Sequence, residues 1–212
     1  MGKRKFKIGV VGSFQSGKSL ILNCLAGKNT CPVGNGLETT QSIRWIKSIN
    51  CDWASFFDTQ GFGGKLLPAS EAPALYGKFD FLLFVSGGVT NRMLDLTQLE
   101  LLAQINDANV PFSIVYNVSA SDGSSEEFIV DEVANQLNER GIIDINIFGK
   151  CVFPVRPFQL ENIQSLGGTG YCRRDRTKAS NIEILKEFLG IIQSQRIMTL
   201  KQYAGVLNDV EL

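Results

Sequence analysis

The chain has 212 residues, 44% of them apolar, with 21 basic and 21 acidic side chains and so a formal net charge of zero. That length and apolar fraction suit one α/β domain with a substantial core, and the charge balance argues against bulk electrostatic attachment to nucleic acid or to a membrane surface. Histidine is absent and the five cysteines lack metal-ligand spacing, which argues against a zinc site and a histidine-activated nucleophile.

An odd number of cysteines is most simply read as reduced thiols in a cytoplasmic protein. No apolar run reaches transmembrane length and no signal peptide is visible. Met1-Gly2 opens like a myristoylation site, but Phe6 stands where Ser or Thr is required.

In chain order, Phe6 to Val11 predicts a strand. It leads into Gly12-Ser13-Phe14-Gln15-Ser16-Gly17-Lys18-Ser19, which matches G-x-x-x-x-G-K-[ST]. Gly12 and Gly17 allow backbone conformations that a side chain would obstruct. The loop can then wrap an anion and aim successive N–H groups at phosphate oxygens. On this reading Gly12, Gln15, Ser16, Gly17, Lys18, Ser19 and Leu20 hold the phosphates. Lys18 adds a cation for the β- and γ-phosphates, and the Ser19 hydroxyl is a Mg²⁺ ligand. Ser19 to Gly27 predicts a helix with a glycine cap, which places the phosphates at its positive end.

A polar loop from Lys28 to Gln41 carries Thr39 and Thr40. One of them, with Thr40 preferred, can offer a hydroxyl to Mg²⁺ and an N–H to a γ-phosphate. Otherwise the pair simply opens the next strand. Ser42 to Ile49 alternates polar and apolar as an edge strand does, and Trp53 to Phe57 predicts a more apolar strand. The short Asn50-Cys51-Asp52 link makes the two an antiparallel hairpin. Asp58-Thr59-Gln60-Gly61 follows as a D-x-x-G signal. Asp58 can hold the Mg²⁺ shell through water and the Gly61 N–H can sense a γ-phosphate, unless the segment is a plain turn.

A glycine-rich loop and a short helix interrupted by Pro68 and Pro73 come next. Phe79 to Val85 predicts a buried central strand, Leu94 to Ile105 a helix, and Pro111 to Tyr116 another buried strand. Asn117 then either binds the base or ties its loop to the phosphate loop, and Asp122 can accept two hydrogen bonds from a guanine edge. The plainer reading is a Ser- and Asx-rich turn. Ser125 to Arg140 predicts a helix capped by Gly141, with Phe128, Ile129, Val133 and Leu137 on its inner side. Ile147-Phe148 and Cys151 to Val155 supply the last strand region. After a polar linker from Gln164 to Lys178, one final helix starts near Ser180 and runs on towards Tyr203. The alternation predicts an α/β three-layer sandwich with a mostly parallel six-stranded sheet and one antiparallel edge strand. Residues 1–200 form one domain on this reading, and 201–212 a C-terminal helix extension or tail.

The phosphate loop, Thr39-Thr40, Asp58 to Gly61 and the Asn117 loop, in this order, resemble the Ras-like superfamily of P-loop GTPases over roughly Phe6 to Phe158. Ser16 to Ser19 with Leu22 to Gly27, and Asp58 to Gly63, look most like the dynamin-like and guanylate-binding-protein branch, with the Era-like bacterial GTPases a close second. The resemblance implies a G domain, Mg²⁺-dependent GTP hydrolysis and two switch loops, Thr39 or Thr40 in the first and Asp58 with Gly61 in the second. It also implies a guanine nucleotide as ligand, with a homodimer through the nucleotide face or an effector protein as partner.

The chain departs from the pattern at three places. In the base motif N/T-K-x-D, Asn117 is present but Val118 and Ala120 replace the lysine and aspartate, and Asp122 is two residues late. The S-A-[KL] loop has no clean match, with Arg156-Pro157 lying near it. Phe62 stands where Ras carries a water-orienting glutamine. Gln15 occupies the position at which those branches carry a catalytic or cation-binding residue, or else it is a solvent-facing loop residue. The catalytic candidates are Lys18, Gln15 and Thr40, and hydrolysis should be slow without a supplied polar group. The alternatives are an ATP-dependent P-loop enzyme such as a small kinase and a non-catalytic nucleotide-binding module.

Overall fold

The computed structural model describes residues 5–26, 31, 44–46, 53–59, 61, 76–87, 94–118, 124–142, 151–155, 181–197 and 199–209. Six strands lie in one sheet: β1 (Phe6–Gly12), β2 (Arg44–Ile46), β3 (Ala54–Asp58), β4 (Phe81–Gly87), β5 (Phe112–Asn117) and β6 (Val152–Val155). The described helices are α1 (Lys18–Ala26), α2 (Leu96–Asp107), α3 (Glu126–Glu139), α4 (Ile182–Ser194) and α5 (Leu200–Asp209). The spatial order is β2-β3-β1-β4-β5-β6. Every pairing is parallel except β2 with β3, so the expected α/β architecture and its single antiparallel edge strand are both present.

The central strands are near-continuous apolar runs because helices cover both faces of a parallel sheet. Phe81 to Val85 is completely buried, as are Phe112, Ile114 and Val115. On the edge strand β2, Trp45 is 54% exposed while Ile46 is buried. The parallel register puts the loops after β1, β3, β4 and β5 at one edge of the sheet, where ligands bind in such folds.

β4 begins at Phe81, two residues later than the apolar run predicts. The Phe79 N–H turns back to the Tyr76 carbonyl, and Asp80 exchanges two hydrogen bonds with the Lys7 backbone, its N–H to the carbonyl and its carboxylate from the N–H. Phe79 and Asp80 therefore form a corner, with the Phe79 ring packed on Gly9.

Phe128 corrects the predicted inner face of its helix. It is 52% exposed, while Ile129, Val133, Ala134 and Leu137 are buried. Those four lie at spacings of i, i+4, i+5 and i+8 and make one stripe; Phe128, one residue earlier, is turned about 100° away from Ile129.

The single final helix is also corrected. α4 stops at Ser194, and Arg196 takes a left-handed conformation with φ 52°. The Arg196 N–H bonds to the Gln193 carbonyl and the Ile197 N–H to the Ile192 carbonyl, with Ile197 buried. This is a Schellman stop. The same bonding closes α3 at Gly141, the cap read from the sequence. α5 then packs Tyr203, Val206 and Leu207 into the core. The Tyr203 ring meets Phe81 edge-on at 5.5 Å between centroids, and its hydroxyl lies 2.6 Å from Ser113 Oγ on β5.

On the far edge of the sheet, β5 donates to the carbonyl of Cys151, and Val118 just beyond it to that of Val155. Pro154 faces away from β5, and its carbonyl accepts the Asn181 side-chain amide at 2.9 Å. Among the described residues no helix is long and apolar enough to cross a membrane.

Candidate functional site

The site starts where β1 runs out. β1 lies between β3 and β4, so the segment that follows it emerges at the middle of the sheet. Gly12 has φ 151° and packs so close to the Val85 carbonyl that no Cβ could fit. Gly17 has φ 92°, and a Cβ there would collide with the Asn117 amide. Between them Gln15 adopts φ 63° and is exposed at the crown of the loop. Two glycines and one left-handed non-glycine residue fold the chain back on itself and turn it into α1. The outcome is a concave main chain at a helix N-terminus, the arrangement that binds anions.

Lys18 is the first residue of α1 and is only 7% exposed. Its ammonium donates to the Ser13 carbonyl at 2.7 Å and so straps the loop. Burial lowers its pKa to about 8, and the nearby Asp58 carboxylate pulls it back up. Ser19 donates its hydroxyl to Asp58 Oδ2 at 3.0 Å across 39 residues of sequence. Asp58 is completely buried at the end of β3. Its neighbour Thr59 donates to the Val10 carbonyl at 2.8 Å, which pins the end of β3 to β1.

Gly61 sits against the phosphate loop. A Cβ there would fall 2.7 Å from Phe14 Cα and 3.0 Å from Lys18 Nζ. Asn117 ends β5 and donates its amide to the Ser16 carbonyl at 3.1 Å, tying the end of that strand to the phosphate loop. Ser16 is buried, and Leu20 is half-buried in the first turn of α1. The fold thus brings together Gly12, Ser16, Gly17, Lys18, Ser19, Asp58, Gly61 and Asn117, with Gln15 on the rim. Thr40 and Asp122 lie outside the described residues, as do Thr39, Gln60 and Phe62.

One participant has no signal at the motif level. Gln98, on α2, donates its amide to Ser13 Oγ at 2.9 Å. Its carbonyl accepts from the Asp95 N–H at 3.0 Å and from Ser86 Oγ at 3.1 Å. Asp95 and Gln98 form a capping box, which the D-x-x-Q spacing does display. The link to Ser13 spans 85 residues of sequence and becomes visible only once the chain is folded.

The donor set suits a metal–nucleotide pair. A hydroxyl and a carboxylate are hard oxygen ligands of the kind Mg²⁺ takes together with substrate phosphates. The glycine cradle and the strapped ammonium suit the phosphates themselves.

The sequence profile of the family described as 50S ribosome-binding GTPase matches residues 7–118. These residues run from β1 through Asn117 and contain every contact of the site. Among solved structures, a probable GTP-binding protein engB is similar at TM-score 0.58 and 15% identity, covering 89% of this chain and 98% of that one. A single-substitution variant of Era from Aquifex aeolicus, bound to GDP and AlF4⁻, is similar at TM-score 0.56 and 17% identity over 89% of this chain and 56% of that one. Toc33 of Arabidopsis thaliana, in complex with Mg²⁺ and GMPPNP, is similar at TM-score 0.53 and 17% identity over 72% and 71%. At these identities the likeness is one of fold. No curated protein compared with the chain matches it. Because the family profile spans more than half of the 212 residues, the chain belongs to the 50S ribosome-binding GTPase family, whose ligand is a guanine nucleotide with Mg²⁺.

Proposed function

We propose that this domain is a Mg²⁺-dependent GTP-hydrolysing switch with low intrinsic activity. The observation that carries the reading is the junction of β3 with the phosphate loop. Asp58 accepts the Ser19 hydroxyl, and three residues later Gly61 abuts Phe14 and Lys18. A γ-phosphate placed beside Lys18 would meet the Gly61 segment, so the presence or loss of that phosphate biases the loop that Gly61 begins.

Ser19 and Asp58 hold the Mg²⁺, which when bound neutralises charge on the phosphate oxygens. Lys18 places its ammonium at the β- and γ-phosphates, and the loop N–H groups stabilise charge developing on the leaving group. Thr40 adds a hydroxyl to the metal and an N–H to the γ-phosphate. Asn117 keeps the base-side loop fixed to the phosphate loop, and Asp122 reads the guanine edge. Phe62 offers no polar group to orient the attacking water. Gln15, exposed at the rim, is free to do so or to meet a second copy of the chain across the nucleotide face. Self-association is therefore the proposed route to faster hydrolysis.

The test is nucleotide binding and turnover by the purified chain with Mg²⁺. GTP is hydrolysed in preference to ATP, the rate per molecule rises with protein concentration, and Lys18→Ala abolishes binding. Unchanged affinity in Lys18→Ala removes the site. A rate independent of concentration removes self-association alone.

A further inference from the structure

Resting on the nucleotide reading above, we infer that Gln98 is a positioning residue for the phosphate loop. It holds Ser13, and through Ser13 the Lys18 ammonium, from the start of α2.

Gln98 is 5% exposed, although glutamine is usually a surface residue. Its orientation is fixed by its neighbours. The Asp95 backbone N–H can only donate, so the Gln98 carbonyl oxygen must face it. The Ser86 hydroxyl shares the same oxygen. The amide nitrogen is thereby turned towards Ser13 Oγ, 2.9 Å away. Ser13 is the node of the loop, because its carbonyl accepts the Lys18 ammonium at 2.7 Å and the Ser16 N–H at 3.3 Å. Movement of Ser13 moves the lysine strap.

The platform behind Gln98 is held as well. Both backbone groups of Leu94, the residue before the Asp95 cap, are taken by one side chain on α3. The Leu94 N–H donates to Gln136 Oε1 at 2.9 Å, and Gln136 Nε2 donates to the Leu94 carbonyl at 3.2 Å. A polar strut therefore runs from α3 through Leu94, Asp95 and Gln98 to Ser13 and Lys18. A residue serving only as a cap needs its carbonyl and its backbone N–H, not an amide donated to a loop 85 residues away.

The experiment compares wild type, Gln98→Leu, Ser13→Ala and the double variant. Two readouts are taken: amide hydrogen exchange of residues 14–18 in nucleotide-free protein, and kcat and KM for GTP. Each single variant speeds exchange in the loop and lowers kcat/KM about fivefold to tenfold, the worth of one buried hydrogen bond. The double variant is no worse than the worse single one, since both remove the same contact. A lower Tm with exchange and kinetics unchanged would reduce Gln98 to a helix cap and overturn the inference. So would losses that multiply in the double variant. Ser13→Ala spares the cap and the core, so it alone decides the matter should Gln98→Leu fail to fold. Wild-type protein that binds no GTP ends the reading of the site, whereas unaltered exchange in the nucleotide-free variants ends the strut.

Discussion

Two residues of the phosphate loop hold conformations or charge states that cost free energy. Gln15 carries a side chain at φ 63°, where most L-residues pay roughly 1 kcal/mol or more. Gln15→Gly should therefore be more stable than Gln15→Ala by about 0.5–1 kcal/mol in urea unfolding. Both should slow GTP hydrolysis equally if the amide takes part; equal stabilities would show that the backbone is not strained there. Lys18 is the second case, because burial brings its pKa from 10.5 to about 8. The folded, nucleotide-free protein thus releases this proton more readily than the unfolded chain does, while the ammonium still predominates near neutrality. The stability cost attached to Lys18 is present below pH 8 and is relieved as pH rises from 8 towards 10.5. Nucleotide affinity follows the opposite course. The phosphates need the ammonium, so affinity should fall as pH rises above 8, by up to about tenfold per unit. Titration of fluorescent GDP against pH measures this, and a flat profile from about pH 7 to 10 would count against it.

At the scale of helices and strands, the exposed Phe128 and buried Val133 of α3 make a sharp pair. Phe128→Ser should change stability by less than about 0.5 kcal/mol. Val133→Ala should cost about 1–3 kcal/mol, because it leaves a cavity against the sheet. Chemical denaturation of the two variants checks both, and the reverse order would restore Phe128 to the core. The same helix shows what a sequence can display. Ile129, Val133 and Leu137 advertise their stripe by period, and Gly141 advertises the stop by being the residue that accepts a left-handed turn. The stop at Arg196 uses the same hydrogen bonds without a glycine, so the break between α4 and α5 carries no local signal. The phosphate loop was legible because its conformation demands particular residues at particular spacings. Asp58 and Gly61 were legible because they follow an apolar strand. Asn117 left two roles open, and the fold displays the tie to Ser16. Gln98 was not legible as part of the site, because a cap and a strut look alike until Ser13 arrives from the end of the neighbouring strand β1.

For the molecule as a whole, α5 is fastened to the sheet by a buried polar pair, Tyr203 with Ser113. Burial pushes the Tyr203 hydroxyl well above its ordinary value of 10.0, with Cys151 beside it adding to the rise. Burial likewise pushes the Cys151 thiol up from 9.0. The folded state holds both protons longer than the unfolded chain does. Their stabilisation is present below the unfolded values and is lost as pH rises past about 9 and then about 10. Tyr203→Phe keeps the ring contact with Phe81 but strands the Ser113 hydroxyl, at a cost of about 1–2 kcal/mol near neutrality. The gap between wild type and Tyr203→Phe in urea unfolding should then shrink above about pH 10. A constant gap would mean that the tyrosine does not titrate with unfolding. Taking the difference also cancels the opposing slope from Lys18.

Pro154 has a consequence of its own. Its nitrogen bears no hydrogen and its carbonyl is already occupied by Asn181, on the side of β6 that looks away from β5. A foreign strand arriving there would find neither a donor nor an open acceptor at the middle of the ladder. Sheet-to-sheet fusion of two copies is thereby blunted along that margin. Among the described residues the other outermost strand is β2, which carries no proline and whose Trp45 is exposed.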